Sequence, residues 1–135
     1  KYIHSWTIRV LKLQENSTIY IGIDASNQRN VSKDFSDPHV NTYDYYAYCS
    51  DGVLWSKFRR EAKCFAVGDG NGFGVNDVIS IEVNTKKNEV RYVKNMQDIY
   101  VSDRIDLRDN IVANTDVFHL AIAMRGDCKV QIIAS

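Results

Sequence analysis

The chain has 135 residues, 44% of them hydrophobic, 25% charged and 11% aromatic, which fits one folded domain with its own core and excludes a disordered chain. Its 17 basic residues balance its 17 acidic ones, so net charge draws it neither to nucleic-acid phosphates nor to an anionic membrane. No apolar run approaches the ~18 residues that span a bilayer.

Taken in chain order, the runs carry the period of strands. In Ile3–Leu13 the residues Trp6, Ile8 and Val10 alternate with polar ones, and in Thr18–Asp24 so do Ile19, Ile21 and Ile23. Ala25–Thr42 follows as a long polar loop, holding Pro38 with Arg29, Lys33, Asp34 and Asp37. Tyr43–Ser50 is an aromatic strand, with Tyr43, Tyr45, Ala47 and Cys49 on one face and Tyr46 and Tyr48 on the other; Asp51-Gly52 turns the chain. Lys57, Arg59, Arg60 and Lys63, among Trp55, Phe58 and Phe65, read as a solvated loop with at most one helical turn. The glycine-rich stretch Gly68–Gly74 reads as a flexible turn. It fails as a calcium loop, because Phe73 and Ser80 stand where ligands are needed, and it lacks the spacing of a phosphate-binding loop.

Asp77–Asn84 alternates again, with Ile79, Ile81 and Val83 on one face. Asn88–Lys94, Ile99–Leu107, Val117–Met124 and Cys128–Ala134 read as further strands, separated by turns at Asn95, Asp109-Asn110 and Gly126-Asp127. Short strands at this spacing predict a single all-β domain over residues 1–135, a twisted antiparallel β-sandwich of concanavalin-like or jelly-roll type. Alternation predicts a core of Trp6, Ile8, Ile21, Tyr48, Ile79, Ile81, Val83, Tyr92, Leu120, Ile122 and Ile132. The chain opens on Lys1 rather than Met and is expected to be a domain cut from a longer protein.

Cys49, Cys64 and Cys128 are odd in number and far apart, which argues against a disulfide scaffold or a zinc finger and for free thiols in a reducing, cytoplasmic setting. Cys64 and Cys128 are expected to be buried and Cys49 partly exposed. His4, His39 and His119 are scattered, so neither a metal nor another cofactor is expected, and no nucleophile, base and orienting group stand out for catalysis.

The ordered set of motifs resembles the SPRY domain family. Ile3-His4-Ser5-Trp6-Thr7-Ile8 looks like its opening strand, and Ile19–Ile23, with Gly22 in place, is similar to its isoleucine-glycine-isoleucine strand. Tyr46-Ala47-Tyr48-Cys49-Ser50-Asp51-Gly52 resembles its aromatic strand and turn. Phe73–Ile79, Val90–Asn95, Phe118–Ala123 and Lys129–Ile133 complete the series. Asn76 replaces a usual glycine, and Met96-Gln97 replaces the glycine after Asn95, so that turn is expected to differ. The Leu-Asp-Pro motif of the adjoining PRY segment is absent, so the resemblance is to a bare SPRY domain.

The resemblance implies a non-catalytic, monomeric module that binds a protein or short peptide, as the substrate-recruiting part of a ubiquitin ligase or another scaffold. By position its site comprises Asn27, Arg29 and Asp34 in the long loop, then Tyr43, Tyr45, Ala47 and Cys49, then Met124, Arg125, Gly126 and Asp127. Arg125 stands where relatives carry a large aromatic residue, which implies a polar or acidic ligand. The alternative is a carbohydrate-binding sandwich, using Tyr43 and Tyr45 as an aromatic platform beside Asn27.

Overall fold

The computed structural model describes residues 3–24, 45–58, 61–66, 71–87, 89–101 and 119–134. Their strands are β1 (Ile3–Leu13), β2 (Thr18–Asp24), β3 (Tyr45–Cys49), β4 (Val53–Phe58), β5 (Glu61–Ala66), β6 (Val78–Asn84), β7 (Glu89–Lys94), β8 (Gln97–Val101), β9 (His119–Arg125) and β10 (Cys128–Ala134). Among the described residues they form two five-stranded sheets, ordered β10-β1-β6-β7-β8 and β5-β4-β3-β2-β9, with every pair antiparallel. We refer to these as the first and second sheets. The all-β antiparallel sandwich expected from alternation is the fold observed.

Alternation explains the core. Ile8 and Val10 of β1 turn inward beside Ile79, Ile81 and Val83 of β6 and Val90 and Tyr92 of β7. Facing them are Ile19, Ile21 and Ile23 of β2, Tyr46 and Tyr48 of β3 and Leu54 of β4. Burying each such side chain stabilises the fold by about 1.5–3 kcal/mol against leaving it in water. Of the expected core, Trp6, Leu120 and Ile122 are only partly buried but pack on it. Ile132 is a correction: it lies opposite Ile8 yet is 55% exposed. β10 is an edge strand, and its pairing with β1 is irregular between Thr7 and Ile8 and between Val10 and Lys12. Alternation assigns a face but not what covers it.

Phe73 plugs one end of the core. Its ring meets Tyr48 edge-on at 5.0 Å, and Tyr48 meets Tyr92 edge-on at 5.6 Å. The part of the glycine-rich stretch that is described, Asn71 to Gly74, is held rather than flexible. The Tyr48 hydroxyl donates to the Asn71 carbonyl, Lys94 Nζ donates to the Gly72 carbonyl at 2.9 Å, and the Phe73 N–H donates to the Ser50 carbonyl at 3.0 Å. A Cβ on Gly72 would sit 2.6 Å from the Ser50 oxygen, so only glycine lets these two turns meet.

Two further expectations change. The Lys57–Lys63 region is no helical turn: Lys57 lies in β4 opposite Ala62, and Lys63 lies in β5 opposite Ser56. The β7–β8 turn does differ from a glycine turn. Asn95 and Met96 both take positive φ, 52° and 69°, between the paired residues Lys94 and Gln97. This is the two-residue geometry whose twist suits a hairpin. Asn76, standing in for a glycine, takes the left-handed conformation at φ 73°, which asparagine tolerates better than most residues. The expected loop Ala25–Thr42, the start of the expected strand Tyr43–Ser50, the expected turn Asp109-Asn110 and the start of the expected strand Val117–Met124 lie outside the described residues.

Candidate functional site

The outward face of the second sheet is built by the residues between the core positions. On β2, Tyr20 and Gly22 point away from Ile19, Ile21 and Ile23. Register then sets three rows across the strands. Ala123, Tyr20 and Cys49 form one; Ala121, Gly22, Ala47, Trp55 and Cys64 the next; His119, Asp24, Tyr45, Lys57 and Ala62 the third. Arg125 stands opposite Thr18, one step beyond the first row.

The middle of this face is low. Gly22 admits no side chain, because a Cβ would run into the Tyr46 carbonyl. Ala47 is fully buried, and the half-buried rings of Tyr20 and Trp55 pack against it. Cys49, expected to be partly exposed, is 1% exposed. Burial pushes its thiol up to about 12, and its sulfur is hydrogen-bonded with Asp51 and with the Tyr20 side chain. Burial likewise pushes the Tyr20 hydroxyl up to about 12; Cys49 and Asp51 push the same way, while the nearby Arg125 guanidinium pulls it down. Ala47 and Cys49 therefore support the face rather than forming its surface. Tyr20 and Trp55 form that surface, and sequence reasoning had not singled them out.

Arg125 is held on a fixed turn. Gly126 takes φ 88° and lies against Ser17, where a side chain would collide. The Asp127 N–H donates to Ser17 Oγ at 2.9 Å, the Gln14 N–H donates to the Asp127 carbonyl at 3.1 Å, and the Asp127 carboxylate pairs with Lys12 at 2.7 Å. Met124 is 51% exposed beside it. Asp51 holds its own turn, accepting the Val53 N–H at 3.0 Å.

The expected site residues that are described do not share one edge. Thr18 pairs with Arg125 and Asp24 with His119 and Tyr45, six residues further along β2, a span of about 20 Å. The group from Met124 to Asp127 lies at one end of the face, and Tyr45, with the chain entering residues 25–44, at the other. Asn27, Arg29, Asp34 and Tyr43 lie outside the described residues. The same span separates His119 from the Arg125 turn beside Cys128, so these two do not form a nucleophile and base. Among the described residues no group of three His, Cys, Asp or Glu side chains could hold a metal, and no helix is long and apolar enough to cross a membrane.

An antiparallel two-sheet sandwich with this decorated face defines a class of β-sandwich modules. No family model and no curated protein matches the sequence. Among solved structures, the chain is similar to the SPRY domain of human HERC1, with a TM-score of 0.61 at 15% identity, over 97% of this chain and 74% of that one. The fold is SPRY-like, as the motif series implied.

Proposed function

We propose that this chain is a non-catalytic protein-recognition module that binds through the outward face of its second sheet. The observation that carries the reading is the presence of two half-buried rings, Tyr20 and Trp55, and the exposed side chain of Arg125 on the outward face of one sheet. Tyr, Trp and Arg are the residue types that most often dominate interface energy. Strands hold them in place, so little ordering cost falls on the receptor side. The SPRY-like fold supports the reading.

Cys49 and Cys128 are free thiols, which suits an intracellular, reducing compartment. There the module would recruit a polar or acidic partner to a ubiquitin ligase or another scaffold.

The test is affinity capture with the domain as bait, comparing wild type with Arg125→Ala, Trp55→Ala and Lys87→Ala, the last on the β6–β7 turn of the first sheet. A genuine partner is retained by wild type and Lys87→Ala, and weakened by about 2 kcal/mol or more in the other two. Partners retained equally by all four baits would place recognition elsewhere on the molecule. Calcium-dependent binding to a glycan array, with no protein partner, would replace this reading by the carbohydrate one.

A further inference from the structure

We propose that the outer edge of β10 takes an extended segment of a partner protein as a sixth strand of the first sheet, one that alternates acidic with apolar residues. The acidic side chains face outward over Lys129 and Arg9, and the apolar ones face inward over Val130 and Ile132. This surface is separate from the outward face of the second sheet, and the inference does not depend on the recognition reading above.

β10 borders the first sheet and β9 the second, and the turn at Gly126 joins them, so the two borders lie on the same side of the sandwich. Among the described residues nothing pairs with the free edge of either strand. Register places apolar residues along this side. Leu120, Ile122 and Met124 stand opposite the buried Ile23, Ile21 and Ile19, and Val130 and Ile132 stand opposite the buried Val10 and Ile8, so all five belong to the inward faces. Yet Met124 is 51% exposed and Ile132 is 55% exposed. Inward positions left in water mark a side of the core that the described residues do not cover. The backbone offers the means of covering it. From Cys128 to Ile132 every residue of β10 has a partner on β1, and the irregularity near Leu11 falls on β1, so this run of β10 is regular. Its length is about 17 Å, and every second residue turns its N–H and C=O to the free edge.

Charge selects the occupant. Lys129 stands directly opposite Lys12, a like-charged cross-strand pair that weakens a sheet unless something neutralises it. Asp127 neutralises Lys12 at 2.7 Å. Lys129 has no acidic partner among the described residues, nor has Arg9, which stands opposite Gln131 on the same outward face, and both are exposed. A second copy of the chain, paired through this edge, would bring β10 itself, whose one charge is Lys129. A segment with acids at alternate positions meets Lys129 across one strand spacing and Arg9 across two, about 10 Å, which the summed reach of a glutamate and an arginine spans. Its intervening residues then fall over Val130 and Ile132. Strand addition of this kind draws affinity from main-chain hydrogen bonds and specificity from alternate side chains.

The test uses synthetic peptides of about eight residues, enough to cover the edge with margin: one alternating Glu with Val, its Lys-for-Glu analogue, and a scramble of the first. Binding to the whole domain is read by fluorescence anisotropy, and backbone pairing by hydrogen–deuterium exchange. The alternating acidic peptide should bind, slow exchange over residues 128–134 and leave β8 unchanged, while the other two bind at least about tenfold more weakly. Lys129→Glu and Arg9→Glu should each weaken it about threefold, the size of an exposed charge pair, and the double variant should bind the lysine analogue better than wild type does. Ile132→Lys, an inward-pointing charge at an exposed position, should abolish binding. Failure of the acidic peptide to bind, equal binding of all the peptides, or protection that appears away from β10 would overturn the proposal. So would a dimer that forms without peptide and that Ile132→Lys dissolves, which gives the edge to a second copy. A monomer in which Ile132→Ala costs as much as Ile81→Ala would overturn it in favour of the chain's own residues covering β10.

Discussion

Gly22 and Tyr46 touch through their backbones: the Tyr46 carbonyl occupies the place where a β-carbon on Gly22 would project. The contact explains the glycine in Ile21-Gly22-Ile23. The flanking isoleucines fill the core, while the glycine lets β3 close onto β2 and leaves the outer face low. Gly22→Ala should therefore cost about 3 kcal/mol or more, at the upper end of overpacking effects. A denaturant titration checks this; a loss below about 1 kcal/mol would mean that β3 moves aside freely.

Ile81 and Ile132 separate a buried position from an uncovered one. Ile81→Ala removes a fully buried side chain and should destabilise by about 2–5 kcal/mol. Ile132→Ala acts on an edge strand already half in water and should cost less than about 1 kcal/mol. Equal losses in the two variants would show that something covers β10 in solution.

Met96 is 96% exposed and held at φ 69°, where a side chain with a β-carbon is strained by about 1–2 kcal/mol. Nothing is lost from the core on replacing it. Met96→Gly should stabilise the domain by about 1 kcal/mol, seen as a higher denaturation midpoint with an unchanged slope. Asn95 should not tolerate the same treatment. Its side chain accepts the Val78 N–H at 2.9 Å and donates to Asp77 at 2.8 Å, tying the turn to the start of β6.

The domain should weaken in alkali. Burial pushes Tyr20 and Tyr48 from the ordinary 10.0 to about 12, and Cys49 from 9.0 to about 12. Each group is neutral when protonated, so the native state keeps protons that the unfolded chain releases. Their contribution is complete below pH 9 and is lost as pH climbs from 9 toward 12. Melting temperatures across that window should fall, and Tyr20 and Tyr48 should ionise late among the eight tyrosines. Native alkylation followed by mass spectrometry should modify half-buried Cys128 before Cys49, the reverse of what the sequence led one to expect. Early labelling of Cys49 would mean that the Tyr20 face opens.

Much of the fold was legible because one inward face is apolar. Ile19, Ile21 and Ile23, or Ile79, Ile81 and Val83, announce a strand and its buried side without further information. β4 and β5 escaped notice for physical reasons. In Val53–Phe58 both faces carry apolar residues, and Glu61–Ala66, an edge strand, carries the charges Glu61 and Lys63 among apolar residues of very different size, from Ala62 to Phe65. The site was half legible. Arg125 and the outward face of the aromatic strand are found by position, but Trp55 was lost with its strand, and Tyr20 was hidden between two isoleucines. That Tyr45 and Arg125 stand at opposite ends could not be read at all. It depends on how β9 registers against β2, a pairing between segments about 100 residues apart that alternation does not specify.

The Ser17–Gly126–Asp127 lock has a mechanical consequence. The chain passes from one sheet to the other in the β1–β2 turn and again in the β9–β10 turn, and these two crossings are fastened to each other through Ser17, Gln14, Lys12 and Asp127. Cys128 adds a weak sulfur contact to the Thr18 carbonyl at 3.7 Å. The corner therefore acts as a spine about which the sheets can splay but not slide. Arg125 is mounted on that spine, so load applied to it by a tethered partner is shared by both sheets instead of peeling β9 from β2.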